Sequence, residues 1–156
     1  MKARLSHYDE AGSPRMVDVS EKPATQRTAR AHALVRMRPE VLGRLTENPK
    51  GNPLEIARIA GIAAAKRTAD LIPLCHPLLL SHIDVEATVE SDGVRIVSSV
   101  TTTGPTGVEM ESLTAAAVAA LTVYDMTKAL DKGIEITDVY LVEKTGGKSG
   151  EWRRKR

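Results

Sequence analysis

Residues 83–103 read IDVEATVESDGVRIVSSVTTT, and the fold class follows from this stretch. Apolar and polar residues alternate over residues 83–90, which is the period-two pattern of a strand with one buried face. Ser91, Asp92 and Gly93 are typical turn residues, and residues 94–103 return as a second strand. The stretch therefore predicts an antiparallel β-hairpin.

The segments on both sides of the hairpin complete an alternation of strands and helices. Residues 29–37 alternate small apolar and basic side chains, which predicts another strand. Asn52 is a typical N-cap and Pro53 suits the first helical position, so a helix begins there. The predicted elements, in chain order, are a strand over 29–37, a short helix over 39–45, a helix over 53–67, strands over 83–90 and 94–103, a helix over 108–130 and a strand over 134–144.

The order of the main elements, β-α-β-β-α-β, is the ferredoxin-like pattern. It predicts an α+β fold with a four-stranded antiparallel sheet and both long helices on one face of that sheet. The length of 156 residues fits one domain. We expect a flexible N-terminal tail over residues 1–14, a single domain over 15–150 and a basic C-terminal tail over 151–156.

The composition argues against several classes of protein. The chain has 22 Lys and Arg against 20 Asp and Glu, and a net charge of +2 is too small to wrap nucleic acid by bulk charge. The single cysteine excludes an intrachain disulfide framework and a CxxC zinc site. No apolar stretch approaches the roughly 18 residues of a membrane helix, and no secretory signal is visible. We therefore expect a cytoplasmic protein that binds neither nucleic acid nor a membrane.

Aromatic side chains are scarce, with three Tyr, one Trp and no Phe. An RNA-binding ferredoxin-like domain would need aromatic side chains on its central strands, and the strands near Ala31 and Ile96 supply small aliphatic ones instead. A small aliphatic core in a short chain often gains stability when subunits associate. The composition therefore argues against an RNA-binding domain. It also favours association into a homo-oligomer.

The helix predicted over residues 108–130 carries candidate catalytic groups. At about 100° per residue, Glu111, Asp125 and Lys128 share one face of it. That face is either a solvated surface or a carboxylate beside an ammonium group that can relay protons. Glu111 and Asp125 lie about 21 Å apart along the helix axis. If both act in catalysis, either the ligand is long or each site is shared between two subunits.

Two other segments carry candidate binding groups. Lys50 precedes a helix N-terminus, where free N–H groups suit a phosphate, although a lysine in a turn is more often merely solvated. His76 lies on a rigid turn between two prolines and either relays protons or is a buried histidine satisfied by the backbone. Cys75, His76 and His82 match no recurring zinc spacing, so no metal site is assigned.

The segment GGKSG at residues 146–150 resembles part of a phosphate-binding P-loop but fails the full pattern. Val142 stands where the first glycine is required, and no helix-length segment follows. A glycine-rich lysine loop that closes over an anion remains as an alternative. From the residues alone, the chain is an anion-binding α+β oligomer, either an enzyme or a regulatory module that binds a ligand without turnover.

Five sequence blocks occur in order between residues 15 and 150. They read MVDVS at 16–20, KGN at 50–52 followed by ARIAGIAAAKRT at 57–68, LIPLCHPL at 71–78, TGVEME at 106–111 followed by YDMTKA at 124–129, and KTGGKSG at 144–150. Together they resemble the cyclic pyranopterin monophosphate synthase family of molybdenum cofactor biosynthesis. Five blocks in order are far more specific than any one of them.

The resemblance implies that residues 15–150 form a single catalytic domain, a phosphorus–oxygen lyase. Its substrate would be the nucleotide-derived 3′,8-cyclo-7,8-dihydro-GTP, and its products cyclic pyranopterin monophosphate and pyrophosphate. The family is a homohexamer built as a trimer of dimers, with its sites at the dimer interface. No cofactor is assigned, and Mg²⁺ accompanying the triphosphate stays open.

Site roles follow from the resemblance residue by residue. Asp125 matches the family's catalytic acid/base and Lys128 its partner one turn on, and Lys50 and His76 join them as catalytic candidates. The implied substrate-binding residues are Leu74, Cys75, His76, Met110, Glu111, Lys66, Lys144 and Arg27. Glu109 is a further candidate. A non-catalytic regulator would bind a ligand but would not need the Asp125–Lys128 pair for turnover.

Overall fold

The predicted hairpin is present in the computed structural model, which describes residues 6–155. Strands β2 (Leu80–Glu90) and β3 (Gly93–Gly104) pair antiparallel, with Val89 opposite Val94 beside the turn. The alternation is visible in β2, where Val85 is fully buried and the neighbouring Glu86 is exposed, but Val89 beside the turn is 45% exposed.

The other elements follow the predicted order, with small shifts of their ends. They are β1 (Thr25–Arg36), α1 (Pro39–Leu42), a 3₁₀ turn (Leu45–Glu47), α2 (Pro53–Lys66), α3 (Thr68–Leu71), α4 (Glu109–Thr127), β4 (Glu135–Thr145) and β5 (Trp152–Arg153). The short α3 was not predicted, since four residues are too few to show a helical period. The Asn52 cap is confirmed, because its Oδ1 accepts a hydrogen bond from the backbone N–H of Leu54 at 3.0 Å.

The strands form one antiparallel sheet in the order β2-β3-β1-β4-β5. The α+β class and the antiparallel sheet are therefore confirmed, and the order of the first four strands is consistent with the ferredoxin-like pattern. The predicted count of four strands is wrong. Trp152 and Arg153 pair with Lys144 and Glu143, so part of the basic C-terminal segment joins the sheet. A two-residue strand has no period from which to predict it.

Helices α2 and α4 pack against each other and against the strands. Small side chains dominate this contact and let the layers approach closely. The buried core includes Ala29, Ala31, Ala33, Val35, Ala57, Val85, Val94, Ile96, Val100, Ala115, Ala116, Ala119, Ala120 and Val123. The core is thus aliphatic, as the composition indicates.

Gly61 lies where α2 packs tightly against α4. A Cβ atom at this position would lie 2.9 Å from the Ala115 carbonyl oxygen and 3.1 Å from Val85 Cγ2. We expect Gly61→Ala to lower the free energy of unfolding by about 1–3 kcal/mol, because the helices must separate to admit the methyl group. Urea unfolding at one fixed protein concentration measures this loss.

Gly43→Ala is the matched control for that substitution. Gly43 has an ordinary φ of −63°, and a Cβ atom there would come no closer than 3.7 Å to any atom. We expect its effect to stay within about 0.5 kcal/mol. Equal losses of unfolding free energy in Gly43→Ala and Gly61→Ala would show that the close packing of α2 against α4 is not the cause of the loss at Gly61.

The face of the sheet opposite the helices carries polar and aromatic groups. His32 on β1 stacks on Tyr140 of β4, with ring centroids 4.8 Å apart. The Arg154 guanidinium lies 4.5 Å from the centre of the Tyr140 ring. Strands β1 and β3 carry no Phe, Tyr or Trp, as the sequence predicts, whereas β4 places Tyr140 on this face.

The segment before β1 is partly ordered in the described residues. The Arg15 N–H donates to the His7 carbonyl at 2.8 Å, and Tyr8 bridges to Pro14. Residues 1–5 of the predicted flexible tail lie outside the described residues, and the tail boundary remains a prediction. No helix within residues 6–155 is long and apolar enough to span a membrane.

Candidate active site

A cavity of about 180 Å³ opens at the N-terminal end of α4, and we call it the His76 cavity. Its lining residues are His7, Leu74, Cys75, His76, Leu78, Thr106, Gly107, Glu109, Met110 and Glu111. Five of the predicted substrate-binding residues are thus brought together from two distant segments. His7, Leu78, Thr106 and Gly107 also line it without having been predicted as site residues, although the last three lie within the quoted sequence blocks.

His76 is oriented by the segment that precedes β1. Its Nε2 lies 2.7 Å from the carbonyl oxygen of Val17. Because a carbonyl oxygen only accepts, Nε2 carries the hydrogen and donates it. In the neutral ring Nδ1 is then the atom that accepts a proton. His76 can therefore donate a hydrogen bond to the backbone from Nε2 and still transfer a proton at Nδ1.

Glu111 is buried in the wall of the His76 cavity, with 4% of its surface exposed. Burial raises the pKa of its carboxyl group, and the nearby Glu109 carboxylate raises it further, while its own backbone N–H opposes the shift. Burial also raises the pKa of the Cys75 thiol, with a smaller contribution from Glu111. Because less of the thiol is ionised, Cys75 is a poor nucleophile. Glu111 keeps its proton to a higher pH than an exposed glutamate, so it has a proton to donate over a wider pH range.

The raised pKa of Glu111 gives a prediction about stability. The buried carboxylate is unfavourable above its folded-state pKa, and this cost disappears below the unfolded-state pKa, near 4.5. The free energy of unfolding attributable to this group therefore falls as pH rises through that window. We expect Glu111→Gln to raise Tm by a few degrees at pH 7 and to lose this advantage near pH 4.

Glu86→Gln is the control, since Glu86 is exposed on β2. It removes the same charge without relieving burial, so its Tm should follow the wild type at both pH values. Thermal unfolding followed by circular dichroism measures all three proteins. A Glu111→Gln protein that is less stable at pH 7 would show that this carboxylate is stabilised in the folded chain by partners that outweigh its burial.

Two cations hold the loop that forms one wall of the His76 cavity. Lys144 Nζ on β4 donates to Glu109 Oε1 at 2.7 Å. Arg27 on β1 donates from Nε to the Gly104 carbonyl at 3.0 Å and from Nη2 to the Pro105 carbonyl at 3.3 Å. Both predicted cations therefore lie beside the His76 cavity without lining it, and Glu109, which does line it, is the acidic partner of Lys144.

A second cavity, of about 210 Å³, lies at the C-terminal end of α4, and we call it the Asp125 cavity. Its lining residues are Arg44, Glu47, Asn48, Pro49, Lys50, Asp125, Met126, Lys128, Ala129 and Leu130. Three of the four predicted catalytic residues, Lys50, Asp125 and Lys128, are thus brought together here.

Asp125 and Lys128 form an ion pair, with Lys128 Nζ 2.7 Å from Asp125 Oδ1. The hydrogen bond from Lys128 lowers the pKa of Asp125, and the charges of Lys128 and, more weakly, Lys50 lower it further. The same hydrogen bond raises the pKa of Lys128. Both side chains are exposed, at 60% and 54%. Asp125 is therefore an ionised base beside a proton donor, open to a ligand.

Asn48 positions Lys50 and was not predicted as a site residue. Its Oδ1 accepts the backbone N–H of Lys50 at 2.9 Å, and its Nδ2 donates to the Met126 carbonyl. The turn before α2 is thus tied to the last turn of α4, which carries Asp125. The local sequence does not mark Asn48 as a site residue, because its partner Met126 lies 78 residues away.

The two cavities lie at opposite ends of one helix. Glu111 is in one and Asp125 in the other, as the separation of about 21 Å requires. The common face predicted for Glu111, Asp125 and Lys128 is not uniformly solvated, because the neighbouring segments bury Glu111. Lys66, the last residue of α2, is exposed and lines neither cavity.

Residues 16–147 match the sequence model of the MoaC family. The chain belongs to the MoaC family. Curated relatives named cyclic pyranopterin monophosphate synthase match almost its whole length. The protein of Streptomyces avermitilis is 60% identical over 153 residues, covering 97% of this chain and 90% of that relative. The Streptomyces coelicolor protein is 59% identical with the same coverage, and a Mycobacterium bovis protein is 57% identical, covering 96% and 90%.

The MoaC family match includes every predicted site residue, from Arg27 to Lys144. It therefore supports the resemblance drawn from the five sequence blocks. His7 and Lys148 fall outside the matched residues, although each lines a cavity in this structure.

Proposed function

We propose that this chain converts 3′,8-cyclo-7,8-dihydro-GTP to cyclic pyranopterin monophosphate with release of pyrophosphate, a step of molybdenum cofactor biosynthesis. The observation that carries the proposal is the 57–60% identity, over nearly the whole chain, with relatives named for this product. The two cavities supply the cations and proton-transfer groups that the reaction requires.

The phosphorus chemistry is assigned to the cations and to one base. Lys50 and Lys128 hold the triphosphate and withdraw charge from its innermost phosphorus. A base frees a ribose-derived hydroxyl, whose oxygen forms a new bond to that phosphorus. The bond from the same phosphorus to the pyrophosphate oxygen breaks, and pyrophosphate leaves with the electron pair. Holding both reacting atoms in one site contributes through orientation.

Ring opening of the purine needs separate proton transfers, and each cavity contributes groups with suitable protonation states. Asp125 is ionised at neutral pH and acts as the base, while Lys128 returns a proton. His76 accepts a proton at Nδ1, and the raised pKa of Glu111 suits proton donation. Leu74, Cys75 and Met110 contact the substrate in the His76 cavity.

The proposed active site is shared between two subunits of a hexamer built as a trimer of dimers. Each cavity holds only part of the catalytic set, and one α4 cannot bring the parts together. A two-fold axis that places one subunit's His76 cavity against its partner's Asp125 cavity would complete two sites at once. Several exposed apolar side chains offer contact surface for such an assembly. They are Ile59, Leu71, Leu79 and Leu121.

The proposed reaction takes place in the cytoplasm and uses no metal ion bound by the chain itself. We place the reaction in the cytoplasm, where the free thiol of Cys75 stays reduced. Within residues 6–155 no group of three or more His, Cys, Asp or Glu side chains is arranged to hold a metal ion. The proposal therefore assigns the chain no resident metal, and Mg²⁺ would enter bound to the triphosphate. Nucleic acid and membranes are not partners.

Anaerobic incubation of the purified protein with 3′,8-cyclo-7,8-dihydro-GTP tests the proposal. We expect pyrophosphate and the pterin product to appear in equal amounts, measured by a coupled phosphate assay and by mass spectrometry. A folded protein that binds this nucleotide without forming product would instead favour a regulatory module. Repeating the assay with a chelator shows whether Mg²⁺ takes part.

A further inference from the structure

A third cavity, of about 720 Å³, lies between the segment leading into β1 and the glycine-rich loop after β4. We call it the glycine-loop cavity. Its lining residues are Glu21, Lys22, Pro23, Thr25, Arg27, Gly147, Lys148 and Ser149. Apart from Arg27, none of them has a role in the proposed reaction.

The charge of the glycine-loop cavity suits an anion. Lys22, Arg27 and Lys148 contribute three positive charges against the single carboxylate of Glu21. Arg27 is held in place by its hydrogen bonds to the Gly104 and Pro105 carbonyls, which use its Nε and Nη2. Those bonds leave its charge unneutralised, and a planar guanidinium binds phosphate oxygens well.

Gly147 allows the guanidinium of Arg27 to face this cavity. A Cβ atom at Gly147 would overlap Arg27 Nη1, and the backbone φ of +73° favours glycine in any case. The local structure therefore explains why glycine stands at position 147. This explanation does not depend on the P-loop pattern, which residues 142–150 do not match.

The Ser149 hydroxyl lines the same cavity and offers a hydrogen-bond donor to a phosphate oxygen. No aromatic side chain lines it, so the lining suits a phosphate chain better than a nucleobase.

The glycine-loop cavity borders the wall of the His76 cavity. The Arg27 hydrogen bonds end on Gly104 and Pro105, and the next two residues, Thr106 and Gly107, line the His76 cavity. In the proposed shared site, where the Asp125 cavity of the partner subunit meets this wall, an anion released at the reacting phosphorus would therefore have a cationic neighbour.

We propose that the glycine-loop cavity binds inorganic pyrophosphate, held by Lys148, Lys22 and Arg27. The identity of the ligand rests on the proposed function, in which pyrophosphate is the leaving group. The cavity then acts as the receiving site for that product, and Lys148 is a product-binding residue with no part in the bond-breaking step.

Calorimetric titration of the whole protein with inorganic pyrophosphate, in the absence of nucleotide, tests this site. We expect Lys148→Ala to weaken binding by about tenfold, because one charge-assisted contact is lost. Ser149→Ala, which removes a hydroxyl group and no charge, should weaken it by a smaller factor. Lys132→Ala removes the same charge at the exposed turn after α4 and should bind pyrophosphate like the wild type.

Each outcome separates this proposal from the proposed function. If Lys148→Ala and Lys22→Ala both bind pyrophosphate like the wild type, or if the wild type binds none at millimolar concentration, the site is refuted even where turnover is normal. If binding depends on Lys148 but no turnover occurs, the site stands and the proposed function fails. With turnover present, Lys148→Ala should also raise the inhibition constant of pyrophosphate about tenfold.

Discussion

Asp125→Asn is expected to lower kcat by about 100-fold or more while the protein still folds and assembles. The carboxylate is ionised, pairs with Lys128 at 2.7 Å and lies near Lys50 in the Asp125 cavity. Asparagine keeps the size of the side chain but cannot accept the proton. Because Asp125 is exposed, its loss leaves no buried group without a partner. Anaerobic product formation measures kcat, and circular dichroism with size-exclusion chromatography verifies the fold.

Asp70→Asn is the matched control, since Asp70 is an exposed aspartate on α3 that lines neither catalytic cavity. Its kcat should equal that of the wild type. An Asp125→Asn protein with near-normal kcat would end the assignment of this carboxylate as the base. The Asp125–Lys128 pair would then be an ordinary surface ion pair without a catalytic role, which is the alternative given by the solvated face of the helix.

Co-expression of two inactive variants is expected to restore activity if the active site is shared between subunits. In a mixed dimer of Asp125→Asn and His76→Ala chains, one site receives an intact His76 from one chain and an intact Asp125 from its partner. Random pairing makes half of the dimers mixed, and half of their sites are intact. We therefore expect about a quarter of the wild-type kcat per site, against almost none for either variant alone.

The control pairs two substitutions from the same cavity, Asp125→Asn with Lys128→Ala. Both groups come from one chain and lie in contact, so mixing cannot rebuild a complete pair and activity should stay absent. Isolation through two different affinity tags ensures that mixed oligomers are assayed. Failure of the Asp125 and His76 variants to complement would mean that each site is complete within one chain.

Local patterns predicted most of the secondary structure. The alternation over residues 83–90 placed β2, the turn residues placed the hairpin, and Asn52 with Pro53 placed the start of α2. These features depend on a few neighbouring side chains and on the period of the backbone, so they are visible in the order of residues. The ends of α4 were less well predicted, at 108–130 against Glu109–Thr127.

The candidate site was predicted as residues but not as two cavities. The blocks around His76 and Asp125 predicted candidate reactive groups, and the 14-residue spacing on one helix left two alternatives for Glu111 and Asp125, a long ligand or a site shared between subunits. Nothing local showed that Asn48 ties the Lys50 turn to α4, or that His7 lines the His76 cavity. Those contacts join residues far apart in the chain.

Residue types and their spacing predicted the α+β class, the aliphatic core and the main elements, and the resemblance of the sequence blocks supplied the candidate reactive groups. The packing of distant segments added the fifth strand, the burial of Glu111, the hydrogen bond from His76 to Val17 and the gathering of Lys148 with Arg27 and Thr25. Burial and pKa depend on what other segments cover a group, and pairing of a two-residue strand depends on a neighbour already in place. These are properties of distances through space, which spacing along the chain does not contain.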